Sequence, residues 1–156
     1  MRIGRILILA LTLGMAGWQG HAATKGCYGA LAAPLRAGGY SGDGGAYDCK
    51  DLKVDIKYVG RIVVQGRRFN IYDLIYETIP EQSDVAVHGG QRILIFRDRT
   101  YLGQFHLDTP PFFKVGIRGH SIHINTRAKY GNEVRLTKNG PPPNAFLAQD
   151  LDGLFR

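Results

Sequence analysis

Three stretches of the chain hold residues whose types and spacing could do chemistry. In residues 83–96, SDVAVHGGQRILIF, His88 precedes two glycines, an arrangement that in some esterases presents backbone N–H donors to a reacting carbonyl. Such a site also needs a nucleophile at a sharp strand-to-helix turn, served by a base and an acid. The three serines, Ser41, Ser83 and Ser121, stand in no GxSxG setting. His88-Gly89-Gly90 is therefore read as a turn leading the chain into RILIF. The second stretch, HSIH at residues 120–123, holds two histidines three apart, which an extended strand turns to opposite faces. Metal ligands on a strand would sit at alternate positions, so His120 and His123 do not form a ligand pair there. His88 and His106 have no spacing that joins them to a third ligand, and no metal or other cofactor is expected. Asp73 and Asp108 read as turn and edge charges rather than as a paired acid and base.

The third feature is a pair of cysteines, Cys27 and Cys49, the only two in the chain. Neither has a CxxC partner or a neighbouring histidine that would activate a thiolate. Their expected chemistry is one disulfide closing a loop that contains six glycines, worth roughly 3 kcal/mol in the chain-entropy treatment.

A disulfide requires an oxidising compartment, and the N-terminus supplies a route to one. Arg2 and Arg5 precede an apolar run, Ile6 to Ala16, and a polar stretch then ends in Gly20-His21-Ala22-Ala23. This is the three-part pattern of a secretory signal peptide, expected over residues 1–22 with the boundary at 22 or 23. The run falls short of the ~20 residues that span a bilayer, so the mature chain is expected to have no transmembrane segment. Lys25 also argues against a lipid-modified cysteine at Cys27. The protein is expected to be exported, and periplasmic if its source is a Gram-negative bacterium. Taking Arg2 and Arg5 from the formal charge of +7 leaves +5, which favours anionic partners. No dense Lys/Arg block is present, and nucleic acid is not expected.

The remaining sequence must position any site. About 133 residues suffice for one domain with a real core. Residues 23–52 read as a Gly-rich, disulfide-stapled N-terminal segment, and residues 53–156 as a single β-rich domain. Short alternating runs separated by turn residues predict an all-β class, mainly antiparallel hairpins in a small sandwich or partly open barrel. KVDIKYV sets Val54, Ile56 and Tyr58 on one face, and Gly60 allows a bend or bulge. A Gly66-Arg67 turn would place Val64 opposite Phe69 and Ile62 opposite Ile71. Closure around Asp98-Arg99 sets Phe96 against Tyr101 and Leu94 against Gly103, with Phe105 and Leu107 continuing that face of a central hairpin. Closure around Gly119-His120 pairs Ile117 with Ile122, Val115 with Ile124, and Gly116 with His123. Residues 132–138 add a strand with Val134 and Leu136 inward. After the break at NGPPP, Asn144 caps a short C-terminal helix bearing Leu147, Leu151 and Leu154, with a final strand through Ala145 to Ala148 as the alternative.

Period-two geometry then turns Lys114, Arg118 and His123 away from the core, with Arg135 alongside from the next strand. These four residues are the candidate binding surface. The expected function is that of a small exported β-domain binding another cell-envelope or extracellular component: an envelope protein, or an anionic polymer or lipid. Two alternatives belong to other classes. One is a hydrolase whose site the fold assembles around His88 or His123, although an enzyme is the less favoured class. The other is a carrier of a small apolar ligand, with Phe105, Phe112 and Phe113 lining a cavity.

Overall fold

The computed structural model describes residues 26–41, 49, 52–78, 88–107, 112–125, 132–147 and 155. The expected signal peptide, Ser83, Asp108, and Leu151 and Leu154 of the expected C-terminal helix lie outside them. The architecture is all-β and antiparallel, in two sheets. The first, sheet A, is ordered β1 (Leu52–Val64), β2 (Arg67–Thr78), β3 (Gly89–Arg97) and β4 (Thr100–Leu107). Sheet B consists of β5 (Lys114–Arg118), β6 (Ser121–Asn125) and β7 (Glu133–Arg135), in that order.

The main core lies between the two sheets. Ile62, Val64, Phe69, Ile71, Ile93, Ile95, Phe105 and Leu107 come to it from sheet A, and Ile122, Ile124 and Val134 from sheet B. Val115 and Ile117 close its margin. The pairing of β5 with β6 is the expected one, with Val115 opposite Ile124, Gly116 opposite His123 and Ile117 opposite Ile122. Val134 and Leu136 are buried, as their alternation predicts.

Sheet A departs from the expected registers in two places. The β1–β2 loop is Gln65-Gly66, with φ of 48° and 78°, so Ile62 faces Phe69 and Gly60 faces Ile71. Positive φ at both loop positions gives the twist that suits a two-residue hairpin, and the expected Gly66-Arg67 turn does not form. Further along, β1 bulges between Tyr58 and Gly60, where the sequence allowed for it. The extra residue turns the strand over. Val54 and Ile56 pack on the outer side of sheet A, whereas Ile62 and Val64 enter the main core. A Cβ at Gly60 would lie 3.0 Å from Ile117 Cδ1, so the absent side chain lets sheet B approach the bend. In β4, the Asp98-Arg99 turn and the Phe96–Tyr101 pair are as expected, but a second irregularity sets Gly103 against Ile95 instead of Leu94. Phe105 and Leu107 therefore join Ile93 and Ile95, not Leu94 and Phe96. Within sheet A, β3 is interior and β4 is an edge, with an isolated bridge from Phe105 to Phe155 beside it.

The N-terminal segment contains a helix that alternation arguments passed over. A 3-10 turn, Gly29–Leu31, runs into α1, Ala32–Ala37. Alanine, leucine and arginine favour helix, and Pro34 falls in the first turn, where its missing N–H leaves no hydrogen bond unmade. At the other end Gly38 and Tyr40 donate their backbone N–H groups to Leu35 O. Leu35 is fully buried and packs with Tyr28 and Tyr40 against Leu74, Leu94 and Phe96 on the outer face of sheet A. Cys27 and Cys49, joined in the expected disulfide with Cα atoms 6.0 Å apart, border the same cluster. The C-terminal helix does not form over Ala145–Leu147. Ala145 O accepts a hydrogen bond from Phe155 N, a pairing between distant residues that replaces the local helical one.

The two sheets are tied together by a polar clamp at one end of the main core. Gln91 is fully buried. Its Nε2 donates to Phe113 O and to Asp73 Oδ1, and its Oε1 accepts from Phe113 N, each at 2.8 Å. The side-chain amide thus pairs with the chain leading into β5 as a neighbouring peptide would. Burial pushes the Asp73 carboxyl above the usual carboxylate range, opposed by the Gln91 hydrogen bond and the Lys57 ammonium, while Asp55 adds to the rise. A raised folded-state pKa means that the associated stability is fully present below the unfolded carboxylate range and lost as pH rises through the folded value. Asp73→Asn keeps an oxygen for Gln91 to donate to and cannot ionise. It should flatten this part of the stability profile from the ordinary carboxylate range upward and leave the domain at least as stable at neutral pH. Urea midpoints measured across that range check it; an unchanged slope would remove Asp73 from the account.

Candidate functional site

The outer face of sheet B is built by strand alternation. With Val115, Ile117, Ile122 and Ile124 turned to the core, β5 presents Lys114, Gly116 and Arg118 outward, β6 presents His123 and Asn125, and β7 presents Glu133 and Arg135, while Ser121, on the same side by alternation, is buried. The cross-strand rows matter more than the sequence spacing. Arg118 pairs with Ser121, and Ser121 with Arg135, so two arginines flank one hydroxyl-bearing residue across three strands. Strand spacing puts their backbones roughly 10 Å apart. The next row is Gly116, His123 and Glu133, where the glycine leaves an opening between Lys114 and Arg118. A groove of about 240 Å³ occupies it, bordered by Lys114, Arg118, His123 and Asn125. The four residues singled out from sequence are thus on one face. Lys114, Arg118 and His123 share the groove, and Arg135 lies one strand over.

Chemically, this face can accept an anion by charge and by hydrogen bonding. The guanidinium groups of Arg118 and Arg135 are exposed, as is Lys114. Glu133 beside His123 places one negative charge on the same surface and gives it an orientation, with the cationic row at the turn-proximal end.

The other sequence candidates disperse. His88 lies at the start of β3, where its backbone N–H donates to Thr78 Oγ1 and its carbonyl accepts from both Thr78 N and Oγ1. Gly89 and Gly90 belong to the strand instead of forming a turn before it. A Cβ on Gly89 would lie 2.5 Å from Tyr76 O, and one on Gly90 would lie 2.7 Å from the Tyr76 hydroxyl oxygen. The two glycines make room for Tyr76, whose ring also lies 5.4 Å from the Arg92 guanidinium carbon. His88 and His123 stand on different sheets, so neither serves the other's site. Among the described residues, no three His, Cys, Asp or Glu side chains are grouped to hold a metal ion. Phe105 is fully buried within the core and Phe113 packs against it, whereas Phe112 lines a hollow with Val54 and Ile75.

One group of residues was not singled out from sequence. On the outer face of sheet A, Tyr58, Tyr72 and Phe96 continue through Tyr101, Tyr40 and Tyr28 as an unbroken series of ring contacts, with centroids 5.2 to 6.0 Å apart. Arg61, Arg68 and Arg99 border one end. Alternation sets Tyr58 on one face with Val54 and Ile56, and the structure keeps it on that face but leaves it exposed. The signal that it is different lies in the next residues, where Gly60 and Arg61 mark the end of the covered stretch.

The molecule is therefore a two-sheet antiparallel β-domain with a short helix on one face, bearing a basic groove on the opposite sheet. Comparison of the chain with protein-family models, curated proteins and solved structures finds no match. No helix among the described residues is long and apolar enough to cross a membrane.

Proposed function

We propose that the protein is a small exported domain that binds an anionic component of the cell envelope or extracellular space through the outer face of sheet B. The observation that carries the reading is the Arg118–Ser121–Arg135 row beside the groove of Lys114 and His123. Two arginines on the strands either side of β6 offer a pair of guanidinium forks, suited to carboxylate or phosphate groups repeated along a polymer or protein surface. Export is supported by the basic and apolar N-terminal pattern and by the disulfide. Periplasmic residence follows if the source is Gram-negative.

The test uses polygalacturonate and polyglutamate as immobilised probes. Wild-type binding should weaken as salt rises from low to physiological strength, and Arg118→Glu with Arg135→Glu should reduce affinity by about tenfold or more. Both side chains point away from the core, so circular dichroism and the thermal midpoint should change little. Unchanged affinity in folded charge-reversal variants would remove this face from the functional account.

A further inference from the structure

Helix α1 covers only part of the outer face of sheet A. Beyond it, Tyr58 and Val63 are the large hydrophobic side chains left exposed among the described residues, at 49% and 48%. They lie on the same side of β1 as Arg61, because the bulge after Tyr58 brings the odd-numbered residues that follow onto the even-numbered side. Two exposed apolar groups flanking an arginine on one strand are not scattered surface residues.

The corner beside Tyr58 holds a trough made of two hollows that share Asp98 and Arg99. Its apolar length runs between Ala30, Leu31 and Pro34 of the helical segment and Tyr72 and Phe96 of the sheet. At the end of that length it reaches Asp98 and Arg99, which also line a second hollow with Arg61, Arg68, Asn70 and Thr100. One end is thus aliphatic and aromatic, the other cationic. The cationic end is held in place by its neighbours: Arg61 Nε donates to Asn70 Oδ1 at 3.2 Å, Asn70 Nδ2 to Asp98 O at 2.8 Å, and Arg68 Nε pairs with Asp98 Oδ1 at 3.3 Å. Both arginine contacts use Nε, so the Nη groups of each fork are not spent on them. Asp98 offsets one of the three charges.

We propose that this trough binds a single-chain amphiphile with a phosphate head, its alkyl chain between α1 and Tyr72–Phe96 and its phosphate on Arg61, Arg68 and Arg99. The apolar walls select the tail. A peptide laid against Ala30, Leu31, Pro34 and Phe96 would bring backbone N–H and C=O groups to side chains that cannot pair with them, whereas an alkyl chain has no polar atoms to desolvate. The arginines select the head. One guanidinium fork suffices for the two oxygens of a carboxylate, while three forks and the Thr100 hydroxyl suit the larger charge and additional acceptor oxygens of a phosphate. This site is separate from the basic face of sheet B and does not depend on it.

The mature, disulfide-bonded chain would be titrated with decyl phosphate below its micelle concentration, with heat and backbone amide NMR shifts as readouts. Decanoate, decyl maltoside and inorganic phosphate form the other arms. Decyl phosphate should bind at one site and shift the amides of Leu31, Tyr72 and Arg99, while each of the other three binds at least about tenfold more weakly. Arg99→Ala and Ala30→Trp, which fills the trough from an exposed position, should each weaken decyl phosphate binding by a similar factor without lowering the thermal midpoint. Arg118→Glu should leave it unchanged. Equal binding of decanoate would overturn the phosphate assignment, and equal binding of decyl maltoside would overturn the role of the arginines. Absence of saturable binding, or binding untouched by Ala30→Trp, would overturn the site itself.

Discussion

Gln91→Leu should destabilise the domain by about 3 kcal/mol, far more than the loss of one surface polar contact. Leucine fills most of the same space, so little cavity is created. What is lost is the pairing of a fully buried amide with both backbone groups of Phe113 and with Asp73. Removing it leaves a donor, an acceptor and a half-buried carboxylate without the partner that satisfied all three. The effect should appear as a lower denaturant midpoint at unchanged m, because the surface exposed on complete unfolding is the same. The amides of β5 and β6 should also lose protection in hydrogen exchange before those of β2 and β3. A midpoint within the error of wild type would show that the clamp is dispensable and that apolar contact alone holds the sheets.

The second large effect is expected at the disulfide. Replacing Cys27 and Cys49 together by serine removes a crosslink over a sequence separation of 22 and should lower stability by roughly 3 kcal/mol. The consequence is local as well as global. Tyr28, Leu35 and Tyr40 reach the outer face of sheet A from a segment rich in glycine, whose ordering the crosslink assists. Fast exchange at Tyr40, whose N–H donates to Leu35 O, should therefore precede any change at the main core. A double variant as stable as wild type in guanidinium would mean that ring packing alone secures the helix.

Much of sheet B was legible because its alternation is uninterrupted. In FFKVGIR and SIHIN every second residue is apolar and the Gly119-His120 turn fixes one register, so both the core residues and the outward basic face follow from the same parity. Sheet A was legible only in outline. Its strands contribute to two cores, and irregularities beside Tyr58 and at Gly103 change which parity faces which. Gly60 marked where β1 could bulge, but no local propensity marked Leu102, beside Gly103, as the residue left unpaired in β4. The short helix was hidden for a different reason: its six residues are held by Leu35 against distant strands, a contact that a local pattern does not contain. The same holds for the arginine corner. Arg61, Arg68 and Arg99 come from two hairpin ends that only the ladder of β1 through β4 brings together.

The order of that ladder has a bearing on how the chain reaches its structure. Among the described residues, every strand pairs with the strand next to it in the sequence, through sheet A and again through sheet B. No described strand has to wait for a later one to be slotted between it and its partner. A chain appearing gradually from its N-terminus can close each hairpin onto the one before it. By the time Leu107 has emerged, every strand of sheet A has a neighbour, and the three strands that follow complete the second layer on a surface already in place.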